Sequence, residues 1–354
     1  MPAVQQRRWF EVIQKEIALR APLAKDRFVD TLFFGGGTPS LLATEFLEKI
    51  VVEIRELYDL SQLREMSIEC NPSSLNKEKL DLYHRLGFTR LSLGIQSFHA
   101  DELTRLGRVH TVETASAALA MVKADGRFQF SGDLIFGVPG QTKSTFLASL
   151  EKLLSFEPDH VSFYGLTIED GTEFAKQQAS GALVLPEDGI YNEMYCDGVA
   201  LLIANGYERY EVSNFSKPGR ACKHNQGYWN GVEYLAFGPG AHGLFNHTRT
   251  VSPRSFEAYL EWGKENFKDE KCSIEILTPE NMVSEAVLLG LRQSGGIDRN
   301  NLQKLGMKLP EELIQKWVKA GMISIEGSRI RLAHDGWLFL DEIGSDFLAR
   351  GLVV

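Results

Sequence analysis

The sequence predicts an α/β protein whose parallel strands form an incomplete (β/α) barrel, followed by a small C-terminal α+β module. Three observations predict it. From residue 8 to about 217, short β-rich runs alternate with longer helical ones, the pattern of repeated βα units. Polar residues recur at the ends of those β-rich runs, which is where parallel architectures bind ligands. From about Met282 the chain reads as helices, a short hairpin and a final helix, an order that resembles a winged-helix module.

The elements follow in order. RRWFEVIQKEIALR puts Trp9, Ile13 and Ile17 on one helical stripe, and Pro22 ends that helix because it lacks an N–H and clashes with the preceding turn. Strands are expected at Thr31 to Phe34, Met66 to Cys70, Arg90 to Ile95, Phe128 to Phe136 and His160 to Leu166. Between them lie amphipathic helices such as LLATEFLEKIVVEIREL, where Leu42, Phe46, Ile50 and Ile54 recur at four-residue spacing. A helix over Ile190 to Asn205 leads through Gly206 to the strand-like ERYEVSNF. Near residue 217 the helical period fades, and SKPGRACKHNQGYWNGVEYLAFGPGAHG is expected to be irregular. The predicted domains are a partial barrel over 1–217, an irregular region over 218–280 packing on it, and the winged-helix-like domain over 281–354.

Composition narrows the functions. A net charge of −9 with no Lys/Arg block argues against a nucleic-acid partner. No run approaches eighteen uninterrupted apolar residues, so no membrane span is expected, and the N-terminus lacks the apolar core of a secretion signal. A cytoplasmic protein is the expectation. Cys70, Cys196, Cys222 and Cys272 lie far apart with no CxxC spacing, which reads as four reduced thiols rather than a metal site.

The strands end on GGGTPS, then Glu69 with Asn71-Pro72, then Gln96; Asp133 lies within the fourth strand, and Thr167 with Glu169 follows the fifth. Gly36 and Gly37 allow the backbone to approach a charged group closely. Glu69 offers two acceptor oxygens suited to a pair of ribose hydroxyls or to an ammonium. Gln96 donates and accepts at once, Arg108 can meet a carboxylate with its planar fork, and Asp133 can accept from an amine or hydroxyl. Singly, each also reads as a turn, a helix cap or a surface ion pair; five in succession point to one polar ligand. GGGTPS has neither the Lys-Ser/Thr of a P-loop nor the spacing of GxGxxG, which argues against an ordinary nucleotide held by its phosphates.

FFGGGTPSLL, SIECNP, RLSLGIQSFHADELTRLGRVHT, GDLIFGVPGQT, YEVSNFSKPGRACKHNQGYWNG and YLAFGPGAHG together resemble the HemW haem chaperone family. Those proteins are relatives of oxygen-independent coproporphyrinogen III oxidase within the radical S-adenosylmethionine (SAM) superfamily. The resemblance implies a radical SAM half-barrel lacking its first strand here, with SAM at the strand ends. Gly36, Gly37 and Thr38 would meet its methionine end, and Glu69, Gln96, Arg108, Asp133 and Thr167 would supply the other contacts. His224-Asn225-Gln226-Gly227-Tyr228-Trp229 matches the HNxxYW pattern that the family associates with haem. From the residues alone, His224 can offer a ring nitrogen to haem iron and Tyr228 and Trp229 flat apolar faces; equally, His224 can bond to backbone in a closed loop.

The family's CxxxCxxC segment, whose thiolates hold a [4Fe-4S] cluster, is not in this sequence, which starts next to the first helix. The edge this would expose on Thr31 to Phe34 leads to the expectation of a longer natural chain, and radical catalysis is not expected from the residues given. The implied function is binding of haem and SAM and delivery of haem to acceptor proteins, some of them membrane-associated. The alternative is an oxidase-like radical enzyme of porphyrin biosynthesis, which would need the cluster. A barrel that has lost SAM is a third possibility, disfavoured by the retained Gly36, Glu69, Gln96 and Asp133.

Overall fold

The computed structural model describes residues 2–353. The chain divides into two compact units, one built from residues 33–41 and 65–222, the other from residues 1–32, 42–64 and 223–354.

The first unit carries the main sheet. Its strands are β1 (Thr31–Phe34, of which Phe33 and Phe34 belong to this unit), β2 (Glu65–Cys70), β3 (Arg90–Gln96), β4 (Gln129–Phe136), β5 (His160–Gly165), β6 (Glu208–Glu211) and β7 (Asn214–Ser216). They lie in the order β1-β2-β3-β4-β5-β7-β6. Pairing from β2 through β5 is parallel, and β7 joins β5 antiparallel. The sheet is therefore mixed: the run ERYEVSNF folds back on itself as a hairpin. Buried Glu211 makes that reversal, accepting from the amide of Ser213 at 2.8 Å and from the Asn214 side chain.

Residues alternate across this sheet with period two, and the two faces differ sharply. One face shows Ile68, Leu91, Leu93, Leu134, Val161, Phe163 and Phe215, all fully buried. Helices supply the apolar cover: Phe146, from the helix Lys143–Leu154, and Tyr195, from the helix Asp188–Ala204, pack on Phe163 with ring centroids 5.7 Å apart in each case. Each such side chain contributes about 1.5–3 kcal/mol through burial. The other face is polar and is described below.

In the second unit, the helix Ala3–Arg20 packs on Thr44–Leu57 through stacked Phe10 and Phe46. The segment expected to be irregular holds more order than its composition suggests. Lys223–Trp229 is a helix, and His242–Phe245, Thr248–Val251 and Ser273–Ile276 form an antiparallel three-stranded sheet. Asn246 and His247 both take positive φ (48° and 56°), the backbone of a two-residue hairpin turn. With four-residue strands and no glycine in that turn, the pattern is too short to read as a period. The C-terminal part matches expectation: helices Pro279–Leu291, Arg299–Lys304 and Glu311–Lys319, strands Ile297–Asp298, Ile323–Glu326 and Arg329–Leu332 in one sheet, and a closing helix Leu340–Arg350. Val287, Leu291, Ile314, Ile330, Ile343 and Phe347 form its core.

Candidate functional site

The polar face of the main sheet is laid out in rungs by the strand register. Glu69, Ser92, Ser131 and His160 stand side by side on β2 to β5, and the next rung holds Gly94, Asp133, Ser162 and Asn214. Glu69 and Asp133 are partly accessible, and both belong to this one face.

The GGGTPS loop closes over the end of β2. A Cβ at Gly35 would lie 2.3 Å from the Phe33 ring and 3.0 Å from a Glu69 carboxylate oxygen, so a side chain there would displace that ring. Gly36 has φ +76°, a conformation that other residues adopt at a cost, and its N–H donates to the Glu69 carboxylate. Buried Ser40 fixes the far end of the loop: its hydroxyl accepts from the amide of Asn71 at 3.0 Å and from the Ser74 hydroxyl at 2.7 Å. Gly36, Gly37 and Thr38 are left exposed.

At the end of β3 the ladder slips between Gly94 and Gln96, and Gln96 takes φ +69°. A glutamine in this region is strained, and strain of this kind clusters at ligand sites. The following loop is tied back by His110, whose buried ring donates from Nε2 to the carbonyl of Ile95 at 3.0 Å. Arg108 sits two residues earlier and is exposed, as is Thr167 beyond β5.

The electrostatics mark Glu69. Burial, with the charge of Asp133 adding to it, pushes its carboxyl up to about 7, and only the Gly36 N–H opposes this. Burial also raises Asp133, against the bonds of Ser92, Ser162 and Ser131 and the charge of Arg90. Glu69 makes no ion pair with a described residue. Both carboxyls stand on one sheet face and are held towards the neutral form by burial, and a bound cation would favour their ionised form. The residues present thus suit SAM, whose ammonium and sulfonium would neutralise the pair while the loop backbone and Arg108 receive its carboxylate.

Of the sequence-predicted contacts, Glu69 and Gln96 lie at strand ends and Asp133 within β4, whereas Gly36, Gly37, Thr38, Arg108 and Thr167 lie on exposed loops. Not anticipated were Ser92, Ser131, Ser162, His160 and Arg90 on the same face. Their signal was the two-residue alternation in RLSLGIQ, QFSGDLIF and HVSFYG.

The HNxxYW residues belong to the second unit and lie on the helix Lys223–Trp229. His224 Nδ1 is 2.8 Å from the Thr31 hydroxyl, and Nε2 is 2.9 Å from the hydroxyl of Tyr228, one turn along. Tyr228 meets Tyr234 edge-on at 4.5 Å. Trp229 lies under the Arg292 guanidinium, 4.0 Å from ring centre, and its indole N–H has no hydrogen-bond partner among the described residues. Asn225 is half-buried on the same helix. Both nitrogens of His224 are engaged, so ligation of iron by either one requires a hydroxyl bond to be given up.

Cys70 and Cys222 are buried, Cys196 is exposed and Cys272 intermediate. No group of three or more His, Cys, Asp or Glu able to hold a metal occurs among the described residues. These thiols therefore do not suit an iron–sulfur cluster.

Comparison with known proteins fits this geometry. Residues 3–153 match the radical SAM superfamily model. The haem chaperone HemW of Bacillus subtilis is 35% identical over 90% of this chain and 86% of its own length. HemW of Mycobacterium tuberculosis is 34% identical over 95% of this chain and 85% of its own. A mitochondrial radical SAM domain-containing protein 1 of Danio rerio is 32% identical over 94% of this chain and 78% of its own. Among solved structures, coproporphyrinogen III oxidase HemN of Escherichia coli, a radical SAM enzyme, superposes with TM-score 0.82 at 21% identity, covering 98% of this chain and 84% of that one, and so shares the fold. With a radical SAM sheet and HemW relatives matched over nearly its whole length, the chain belongs to the HemW haem chaperone family of the radical SAM superfamily.

Proposed function

We propose that this protein binds haem and SAM and passes haem to acceptor proteins, membrane-associated ones among them. The observation that supports SAM is the Glu69–Asp133 pair: two carboxylates on neighbouring rungs of one sheet face, with Glu69 held by the Gly36 N–H of the glycine loop and raised to about 7 by burial and by the charge of Asp133. Gly36, Gly37 and Thr38 would receive the methionine end. Gln96, Arg108, Asp133 and Thr167 would complete the site. SAM would supply a sulfonium here, and Glu69 and Asp133 would hold it by their charge.

Haem is the cargo. The HemW relatives are named for it, and the His224-Asn225-Tyr228-Trp229 helix offers an imidazole, two aromatic faces and an unsatisfied indole N–H within two turns. Among the described residues no helix is long and apolar enough to cross a membrane, and working in the cytoplasm fits the acidic composition.

Calorimetric titration with SAM and absorbance titration with haem, followed by mixing with an apo-haem protein, test the two halves separately. Saturable binding of both and transfer of the haem band to the acceptor are expected. Failure of the wild-type chain to bind SAM would remove the first half, and failure to bind haem the second.

A further inference from the structure

Behind Asp133, on the same face of the sheet, the structure holds an uninterrupted line of hydrogen bonds. Asp133 Oδ1 lies 3.0 Å from the Ser131 hydroxyl, Ser131 lies 2.9 Å from His160 Nδ1, and His160 Nε2 lies 2.8 Å from the Tyr210 hydroxyl. Ser131 and His160 are 0% and 1% exposed, whereas Asp133 and Tyr210, at the two ends, retain some exposure. The second carboxylate oxygen of Asp133 takes the Ser92 hydroxyl at 2.9 Å.

The hydrogens in such a line cannot be placed independently. A neutral imidazole donates from one nitrogen and accepts at the other, and a hydroxyl has one hydrogen to give. If Asp133 is ionised, Ser131 donates to it, His160 must donate to Ser131 from Nδ1, and Tyr210 donates to Nε2. If Asp133 carries a proton and donates it, every bond reverses: Ser131 donates to Nδ1, and His160 donates from Nε2 to Tyr210. The geometry admits both directions without moving a heavy atom.

We infer that Tyr210, His160 and Ser131 form a proton relay to Asp133, in which each protonation of the carboxylate is accompanied by a change of the His160 tautomer. The step balances. A proton from solvent joins the Tyr210 oxygen as the phenol proton passes to His160 Nε2, the Nδ1 proton passes to Ser131, and the Ser131 proton passes to Asp133 Oδ1. One proton enters, one reaches the carboxylate, and the three intermediates stay neutral. His160 suits the task because burial, with the charge of Arg90 adding to it, holds its pKa well below the usual histidine range and keeps the ring uncharged. The relay rests on the SAM reading in one respect: a ligand in the rung of Asp133 would cover the carboxylate's own access and leave this path as its route to solvent.

Asp133 titrates among other groups. Glu69 acts on it from β2, Arg90 from β3 and Tyr164 from β5, His160 stands one rung away on β5, and Tyr210 with Glu211 on β6 act on Tyr164. The test must therefore follow Asp133 itself. In protein labelled with 15N-histidine and 13C-aspartate and free of ligand, the His160 ring nitrogens and the Asp133 carboxyl carbon are followed across pH. The expected result is the Nδ1–H form while Asp133 is ionised and the Nε2–H form once it is protonated, at one shared midpoint. In Ser131→Ala the carboxyl still titrates and the tautomer no longer follows it. A His160 tautomer that stays fixed through the Asp133 titration in the wild type, or one that still follows it in Ser131→Ala, overturns the proposal. The wild-type measurement stands whether or not the variant folds. Because it uses no ligand, its failure is distinct from failure to bind SAM.

Discussion

At the scale of single residues, Glu69 and Gln96 carry the strongest statements. Glu69 has a folded pKa of about 7 against an ordinary value of 4.5. A carboxyl raised in this way binds its proton more tightly folded than unfolded, so ligand-free stability falls as pH rises from 4.5 to 7 and is flat beyond. SAM needs the ionised form, so its affinity rises over the same window, and the stabilisation it gives grows with pH. Glu69→Gln should remove that pH dependence and weaken SAM by about 10- to 100-fold, the loss of one charge-assisted interaction. Calorimetry below and above pH 7 checks both. Unchanged affinity in Glu69→Gln would place SAM elsewhere. At Gln96 the strained backbone and the side chain can be separated. Both Gln96→Ala and Gln96→Gly lose the amide, yet only glycine relieves the positive φ, so the glycine variant should be more stable than the alanine one by about 1 kcal/mol in urea unfolding. Equal stability would mean that the backbone relaxes without help.

At the scale of elements, the first helix is locked by charge as well as by its apolar stripe. Glu16 is fully buried; its carboxylate accepts from the Tyr259 hydroxyl at 2.7 Å and the Gly238 amide at 2.9 Å, and pairs with Arg20 at 2.9 Å. Burial nonetheless raises its pKa, the desolvation outweighing those partners. Glu16→Ala should cost about 3–5 kcal/mol by leaving the Tyr259, Gly238 and Arg20 groups without an acceptor, and Glu16→Gln clearly less, because an amide oxygen still accepts. Chemical denaturation distinguishes them; two equal losses would point to packing alone. The same helix shows what the sequence made legible. Ile13 and Ile17 announce its buried stripe and Pro22 its end, since both follow from period and backbone chemistry. The role of Glu16 is not legible in the helix alone, because Gly238 and Tyr259 reach it from more than two hundred positions away. The polar face of the sheet divides likewise. Glu69, Gln96 and Asp133 stood out as strand-end polar groups, whereas His160 and Tyr210 gained meaning only once strand register and a hairpin had brought them into line.

At the scale of the whole molecule, the two sets of residues argued to hold ligands fall in different compact units: Gly36, Glu69, Gln96 and Asp133 in one, and His224, Tyr228 and Trp229 in the other. Each set is thus carried by its own unit, the first backed by the apolar face of the main sheet and the second belonging with the helices around Phe10 and Glu16. Substitutions that share no partners usually add to within about 0.5 kcal/mol. Tyr228→Phe removes the hydroxyl that engages His224 Nε2 while keeping the aromatic face. If iron is taken by Nε2, Tyr228→Phe should tighten haem by up to about tenfold, the worth of one neutral hydrogen bond no longer given up, and His224→Ala should weaken it. Neither should move the SAM constant, and Glu69→Gln should leave haem unaffected. Titrating both ligands into the three single variants and the Glu69→Gln/His224→Ala double variant completes the cycle. Additive losses would establish two independent sites. A haem constant that shifts tenfold with Glu69→Gln would instead mean that SAM and haem are coupled, so that occupancy of the glycine loop regulates the cargo.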